Sequence, residues 1–345
     1  MKNAVLVFTC LLCFMSMFPV GRLKGQTVPS AEDIQQEWVS PSVEGDRRSK
    51  GIQISYNQIS PFGIHSTPIV PGINEAEARV QKLEEIEFSL RLPILWKGRT
   101  TIAAGVSYLY EEYNFINPSA LTYDFYTNLQ NKHLNSLDAK VFVVYALNGR
   151  AFIGSRIGLE LNGDYEGNEL PFRQQAKGSV AAVYGWKTNP YTMYGLGAYY
   201  SYTLGRPSIY PVFIWNETFN DRWGVEAVLP QSFRLRRNFS EETILLLGAK
   251  VLGRSYHIIS DEPPLGKYPN LELRNSNIYA FLEFEQEIYD FLWFGLTGGY
   301  RYNINFNISE ENSFSNSRII ENEVGHSPYF NVSLFVVPPQ AWVEE

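Results

Sequence analysis

The sequence predicts an all-β chain, folded as an antiparallel up-and-down transmembrane β-barrel of about fourteen strands. Three observations predict it. Long segments alternate apolar and polar residues with period two, as strands do. Their connections alternate between short turns and long loops, as in bacterial barrels. Beyond the N-terminal 25 residues no stretch has 18 or more consecutive apolar residues, so a membrane location has to come from closed sheet. Composition agrees, with aromatics at 15% and charged residues at only 19% of the 345 residues.

The N-terminus reads as a secretory signal over residues 1–25. Lys2 supplies the positive start, Ala4 to Phe18 the apolar stretch, and cleavage near Gly25 leaves Gln26 first. Cys10 and Cys13 leave with it, so the mature chain has no disulfide, thiolate metal site or cysteine nucleophile. Loss of Lys2, Arg22 and Lys24 takes Lys+Arg from 29 to 26 against an unchanged 36 Asp+Glu, a net of −10. That balance excludes a nucleic-acid partner.

Residues 26–49 are polar and acidic, with Pro29 and Pro41, and are expected to form a flexible periplasmic arm. The barrel is expected over 50–337. Its clearest strand runs from Phe291 to Phe306. One parity holds Leu292, Phe294, Leu296, Gly298, Tyr300, Tyr302, Ile304 and Phe306; the other is small and polar. Such length suits a tilted membrane strand rather than a soluble one. Segments 99–113, 150–164 and 190–204 repeat the pattern, the second with Ile153, Ile157, Leu159 and Leu161 on its apolar face. The remaining strands are placed at 50–60, 82–96, 134–147, 173–187, 207–217, 221–229, 232–239, 242–256, 273–288 and 327–337. Merging the short strand at 232–239 with a neighbour would leave twelve.

Asn148-Gly149 is a strong two-residue hairpin signal, and 96–99, 187–190, 219–221 and 289–290 are also short. The connections 61–81, 114–133, 165–172, 257–272 and 307–326 are longer and are assigned to the outer side; the one near Arg206-Pro207 is short there. Residues 338–345 form a Pro-led tail, since proline does not extend a paired strand.

The run Pro207-Ser208-Ile209-Tyr210-Pro211-Val212-Phe213-Ile214-Trp215 is followed by Trp223-Gly224-Val225-Glu226-Ala227-Val228-Leu229-Pro230 and then Phe233-Arg234-Leu235. This layout resembles the uncharacterised outer-membrane barrels of Bacteroidota described only as a domain of unknown function. The resemblance covers most of 50–337 and implies an outer-membrane barrel. It implies no activity and no functional residues.

If the apolar parity faces lipid, the other faces the lumen. Basic candidates there are Arg156, Arg173, Lys177, Arg222, Arg234, Arg236, Lys250, Arg254 and Arg301; acidic ones are Glu85, Glu87, Glu160, Glu226, Glu283, Glu285 and Glu287. Glu283, Glu285 and Glu287 form a stripe that needs cations opposite, and Arg301 on the next strand is the expected supplier. Two functions fit: a passive channel or transporter for a small polar solute of unknown identity, or a closed barrel acting through its outer loops. The partners expected are the outer-membrane bilayer and its assembly machinery. No cofactor is implied. His65, His133, His257 and His326 are placed in or beside outer loops, without a nucleophile signature, so catalysis is not expected.

Overall fold

The computed structural model describes residues 38–337 except 48, 119–120, 122, 166–175, 204–205, 261–264, 269–270 and 311–317. The expected signal, the first part of the arm, Arg173 and the C-terminal tail lie outside the described residues.

Sixteen strand segments and one helix follow in order: β1 (Ile52–Ile59), β2 (Phe62–Pro68), β3 (Ala76–Lys97), β4 (Thr100–Phe115), α1 (Asp124–Asn131), β5 (Leu134–Ala146), β6 (Ala151–Gly163), β7 (Ala176–Asn189), β8 (Thr192–Ser201), β9 (Ser208–Asn220), β10 (Trp223–Leu229), β11 (Ser232–Asn238), β12 (Thr243–Ile258), β13 (Leu271–Tyr289), β14 (Leu292–Glu310), β15 (Arg318–Val324) and β16 (Ser327–Val336). Consecutive segments pair antiparallel from β3 to β14. β1 and β2 are two halves of one strand, interrupted at Ser60-Pro61, and both pair with β3. β15 and β16 are likewise one strand, and both pair with β14. Closure comes from β1 on β16 and β2 on β15. The result is a closed antiparallel barrel of 14 strands. The short β11 keeps its own place between β10 and β12, so the twelve-strand count does not apply.

Alternation sets the two faces. Leu296 is 47% exposed and Leu282 50%, while Arg301 is 2% exposed. The apolar parity therefore faces out and the charged parity in. Exposed Trp96, Phe219, Trp223, Phe239, Tyr289 and Phe291 ring the end that carries the short turns. Tyr108, Tyr300, Tyr302 and Phe330 are exposed on the outer half of the wall.

Several expectations need correction. Phe306 is buried, not outward. The β13–β14 ladder skips a residue, with Asn303 and Asn305 facing adjacent residues Asn277 and Ser276; Ile304 is the extra residue, and the parity reverses above it. Leu161 is also buried at the outer end of β6, where the Tyr165 hydroxyl donates to its carbonyl. Strand continues into three connections read as loops, as β2 and the start of β3, as the ends of β12 to β14, and as β15. A second short outer connection, Pro230-Gln231, joins β10 and β11.

That short hairpin reshapes the outer half. β10 and β11 have seven residues each, so β12 continues beyond β11. Val251 still donates to the Gln231 carbonyl, and the next ladder pair on that side among the described residues is His257 with Gly163 of β6, in parallel. β6 and β12 thus close a narrower ring that bypasses β7 to β11. Thr203 lies against this ring: a Cβ on Gly253 would collide with its carbonyl.

Inside the narrower ring sits an apolar core. Phe62, Tyr113, Phe115, Tyr256, Phe306 and Tyr329 pack with Phe125, Tyr126 and Leu129 of α1. The Tyr126 hydroxyl bonds Ser66, which donates to Asn322, fixing α1 to both half-strands. Gln130 accepts from the Phe115 N–H at 2.7 Å. The outer half of the barrel is therefore filled.

Candidate functional site

The inner half of the barrel is polar, and the segment before β1 floors it. Trp38 stacks under the Arg99 guanidinium at 4.0 Å. Val39 and Val43 are buried with Ala146, Phe152 and Met193. The Val39 N–H donates to the Asn148 carbonyl and that of Glu44 to Pro190, so the chain crosses two short turns. Gly45, at φ +74°, turns it inward; a Cβ there would already press on Thr218 at 3.1 Å.

Arg47 then enters the lumen. Its Nε lies 3.1 Å from both Glu226 oxygens, its Nη2 3.0 Å from Oε2, and its Nη1 3.1 Å from Glu285 Oε1. Lys50 stands 2.7 Å from Glu285 and 3.4 Å from Glu283, with its ammonium over the Phe335 ring. Burial opposes charge on Arg47, but Glu226 and Glu285 raise its pKa above the ordinary value. Asp46 is pushed up to about 6, by burial first and then by Glu226, against Arg236 and the Arg47 N–H.

This corrects the expected flexible arm over residues 38–47, which are docked. The reason is electrostatic: the acidic stripe recruits the basic run just before β1. It also corrects the expected partner of the stripe. Arg301 sits opposite Tyr279, lies over the Phe62 ring at 4.1 Å and donates to the Gly325 carbonyl, too far up β14 to meet Glu283. Glu287 falls at a register shift near the turn and does not line the chamber above the arm.

That chamber has a volume of about 530 Å³. Arg47 and Lys50 form its floor; Glu87, Lys140, Glu226, Arg234, Lys250 and Glu283 are among its walls. A smaller cavity of about 110 Å³ shares Glu87, Arg234, Lys250 and Glu283 with it and reaches Glu85, Arg254 and Tyr279. Above these, Asn57 donates to Glu85 at 2.7 Å and Tyr256 to Glu111 at 2.6 Å. Arg254 approaches Glu111 at 3.9 Å.

The other candidates divide. Arg236 is 1% exposed, 3.6 Å from Glu226 and bonded to Thr218. Arg156 lies against the Phe142 and Tyr199 rings, and Glu160 accepts from Asn162. Lys177 leaves this group: it bonds Glu272 at 2.6 Å and the Ser255 carbonyl on the covered outward face of β12 and β13. Arg222 is exposed in the turn between β9 and β10, outside the lumen. The histidines have structural neighbours: Glu77 for His65, Tyr110 for His133 and Tyr302 for His326. His65 lies within β2 rather than a loop, and His257 is buried at the end of β12.

Sequence reasoning missed Arg47, Lys50 and Glu111. The first two had a signal, the basic run Arg47-Arg48-Ser49-Lys50 in an otherwise acidic segment.

A family defined only as a domain of unknown function, DUF6268, matches residues 106–336. The chain belongs to this family. The DUF6268 region starts inside β4, so the docked arm and β1 to β3 precede it. No curated protein matches the chain. Among solved structures it is similar to a Pseudomonas aeruginosa FadL homologue, at 10% identity and TM-score 0.40, over 84% of this chain and 90% of that one. The Pseudomonas putida toluene transporter TodX matches at 10% identity and TM-score 0.33, with the same coverage. The Escherichia coli outer membrane protease OmpT matches at 9% identity and TM-score 0.31, over 86% and 99%.

Proposed function

We propose that this chain is an outer-membrane barrel, exported and inserted by the assembly machinery, that admits small polar solutes to its charged chamber and is closed at rest. The exposed apolar band between two sets of aromatic residues supports the membrane location, since charged residues turn inward along the same strands. The chamber carries the transport reading. It is large enough for a small solute, lined by both signs of charge, and floored by ion pairs that water can replace. This reading assigns no catalysis.

A second reading, a closed barrel acting through its outer loops, is favoured by the apolar core around α1. Planar-bilayer recording separates the two. The transport reading expects near-zero conductance from the intact protein and discrete openings from the Arg47→Ala/Lys50→Ala double variant. Silence in both, under every voltage and with the variant folded, would favour the closed barrel.

A further inference from the structure

The reversal of parity at Ile304 has a consequence on the outside of the wall. Tyr302 and Ile304 are exposed apolar residues. Immediately beyond them Asn305, Asn307 and Ser309 take the outward positions, because Phe306 and Ile308 have turned into the core. Arg274 of β13 is in register with Asn307, and Arg318 of β15 with Ser309. Arg206, just before β9, completes the lining. Together these six residues enclose a pocket of about 210 Å³.

The pocket is cationic. Arg274 stands in its wall 2.7 Å from Glu272, which also holds Lys177 at 2.6 Å. Arg318 pairs with Glu321, and Arg206 adds a further charge. Glu310, exposed one residue past Ser309, is not part of the lining.

It also holds unspent hydrogen-bonding capacity. Ser309 is 0% exposed, yet its Oγ has no hydrogen-bond partner among the described residues. The Asn305 Oδ1 is likewise buried and unpartnered; a half-turn of that amide presents a donor instead. A buried hydroxyl without a partner costs stability unless a ligand satisfies it. Arginine forks with a hydroxyl donor are the chemistry of phosphate recognition.

The geometry points to a phosphate site at this pocket, occupied by the phosphate of an anionic outer-leaflet lipid headgroup. The lipid source follows from position: Asn305, Asn307 and Ser309 take outward positions directly beyond the exposed Tyr302 and Ile304 of the apolar band, at the level where headgroups lie and where basic pockets take them. This step rests on the membrane reading above.

The test uses the full mature chain in neutral detergent, with phosphatidic acid, phosphatidylcholine or inorganic phosphate as probe and native mass spectrometry as readout. One phosphatidic acid should be retained per chain, with at least tenfold less phosphatidylcholine. Arg206→Gln/Arg318→Gln should cut that retention at least tenfold, and Ser309→Ala about threefold, with heat-modifiable gel migration unchanged. Equal retention by the variants, or of the two lipids, overturns the site. Displacement of the lipid by equimolar inorganic phosphate overturns the lipid source. Failure of the wild type to insert in bilayers defeats the membrane reading, whereas insertion without phosphatidic acid selectivity defeats only this one.

Discussion

Arg47 clamps Glu226 through three contacts of 3.0–3.1 Å, joining a residue before the first strand to one on β10. The same guanidinium reaches Glu285 on β13. One side chain therefore ties the docked segment to two separate parts of the wall. Arg47→Ala should release it. Breaking a fully buried pair costs about 3–5 kcal/mol, and the loss here should be smaller because Arg234 and Arg236 remain beside Glu226. Limited proteolysis of the refolded protein should cut before residue 50 in the variant and not in the wild type. Equal resistance would mean that Val39 and Val43 hold the segment alone.

Asp46 makes that docking depend on pH. Its pKa is raised from 3.8 to about 6, chiefly by burial and next by Glu226. A raised carboxyl pKa means that the folded state binds the proton more tightly, so its contribution is present below about pH 4 and is lost as pH rises through about 6. The groups facing it are Glu226, Arg236 and Arg47. Asp46→Asn should therefore resist cleavage before residue 50 better at pH 7.5 than the wild type does, and should flatten the change between pH 5 and 7. A wild-type profile that is already flat over that range would show that Asp46 does not govern docking.

The outward parity predicts a contrast between neighbours on β14. Leu296→Arg places a charge on the apolar band and should cost about 2–4 kcal/mol of insertion stability. Thr297→Arg points the other way, into the small cavity and opposite Glu283. It should fold and insert almost as the wild type. Urea titration in lipid vesicles reads both; equal losses would mean that the alternation does not mark a lipid face.

The strands are legible because period-two alternation over ten or more residues has few other meanings. Asn148-Gly149 marks the place of a turn but not its register, since Ala146 faces Phe152 and the loop is one residue longer than a two-residue hairpin. The inner half of the site was legible for the same reason: Glu226, Glu283, Arg234 and Lys250 share the inward parity of their strands. What was hidden depends on breaks in the period. A single extra residue at Ile304 turned Phe306 inward, and no local pattern marks it. The contact of β6 with β12 depends on the brevity of β10 and β11, a long-range consequence of a two-residue turn. Strand adjacency alone pairs Arg301 with the acidic stripe; the offset along the strands, which sets Arg301 opposite Tyr279 and Thr297 opposite Glu283, separates them.

Topology can be read with inserted tags. Gly72, at φ +87°, has nothing within 4 Å of a Cβ and lies in the short stretch left between β2 and β3. An epitope there should be reachable on intact cells. One at Asn148-Gly149 should not, because that turn belongs to the opposite end and carries the docked segment on the Asn148 carbonyl. Surface labelling at the Asn-Gly turn would invert the barrel.

The acidic stripe supplies the sharpest test of the chamber. Glu283 and Glu285 hold Lys50, and Glu285 also holds Arg47, with both carboxylates largely buried. Changing both to Gln keeps their shape and removes two charges. Of the carboxylates that pair with Arg47 and Lys50, Glu226 would then remain, among Arg234, Arg236 and Lys250. The excess of positive charge in a confined lumen should lower thermal stability and loosen the docked segment. If the chamber conducts once opened, the Glu283→Gln/Glu285→Gln variant should show channels selective for anions, because fixed charge on the walls sets the sign of the permeant ion. If the apolar core around α1 seals the outer half permanently, the variant should be less stable and remain silent. A variant with unchanged stability and unchanged silence would refute the ion-pair floor itself, since neither carboxylate would then be balancing Arg47 and Lys50.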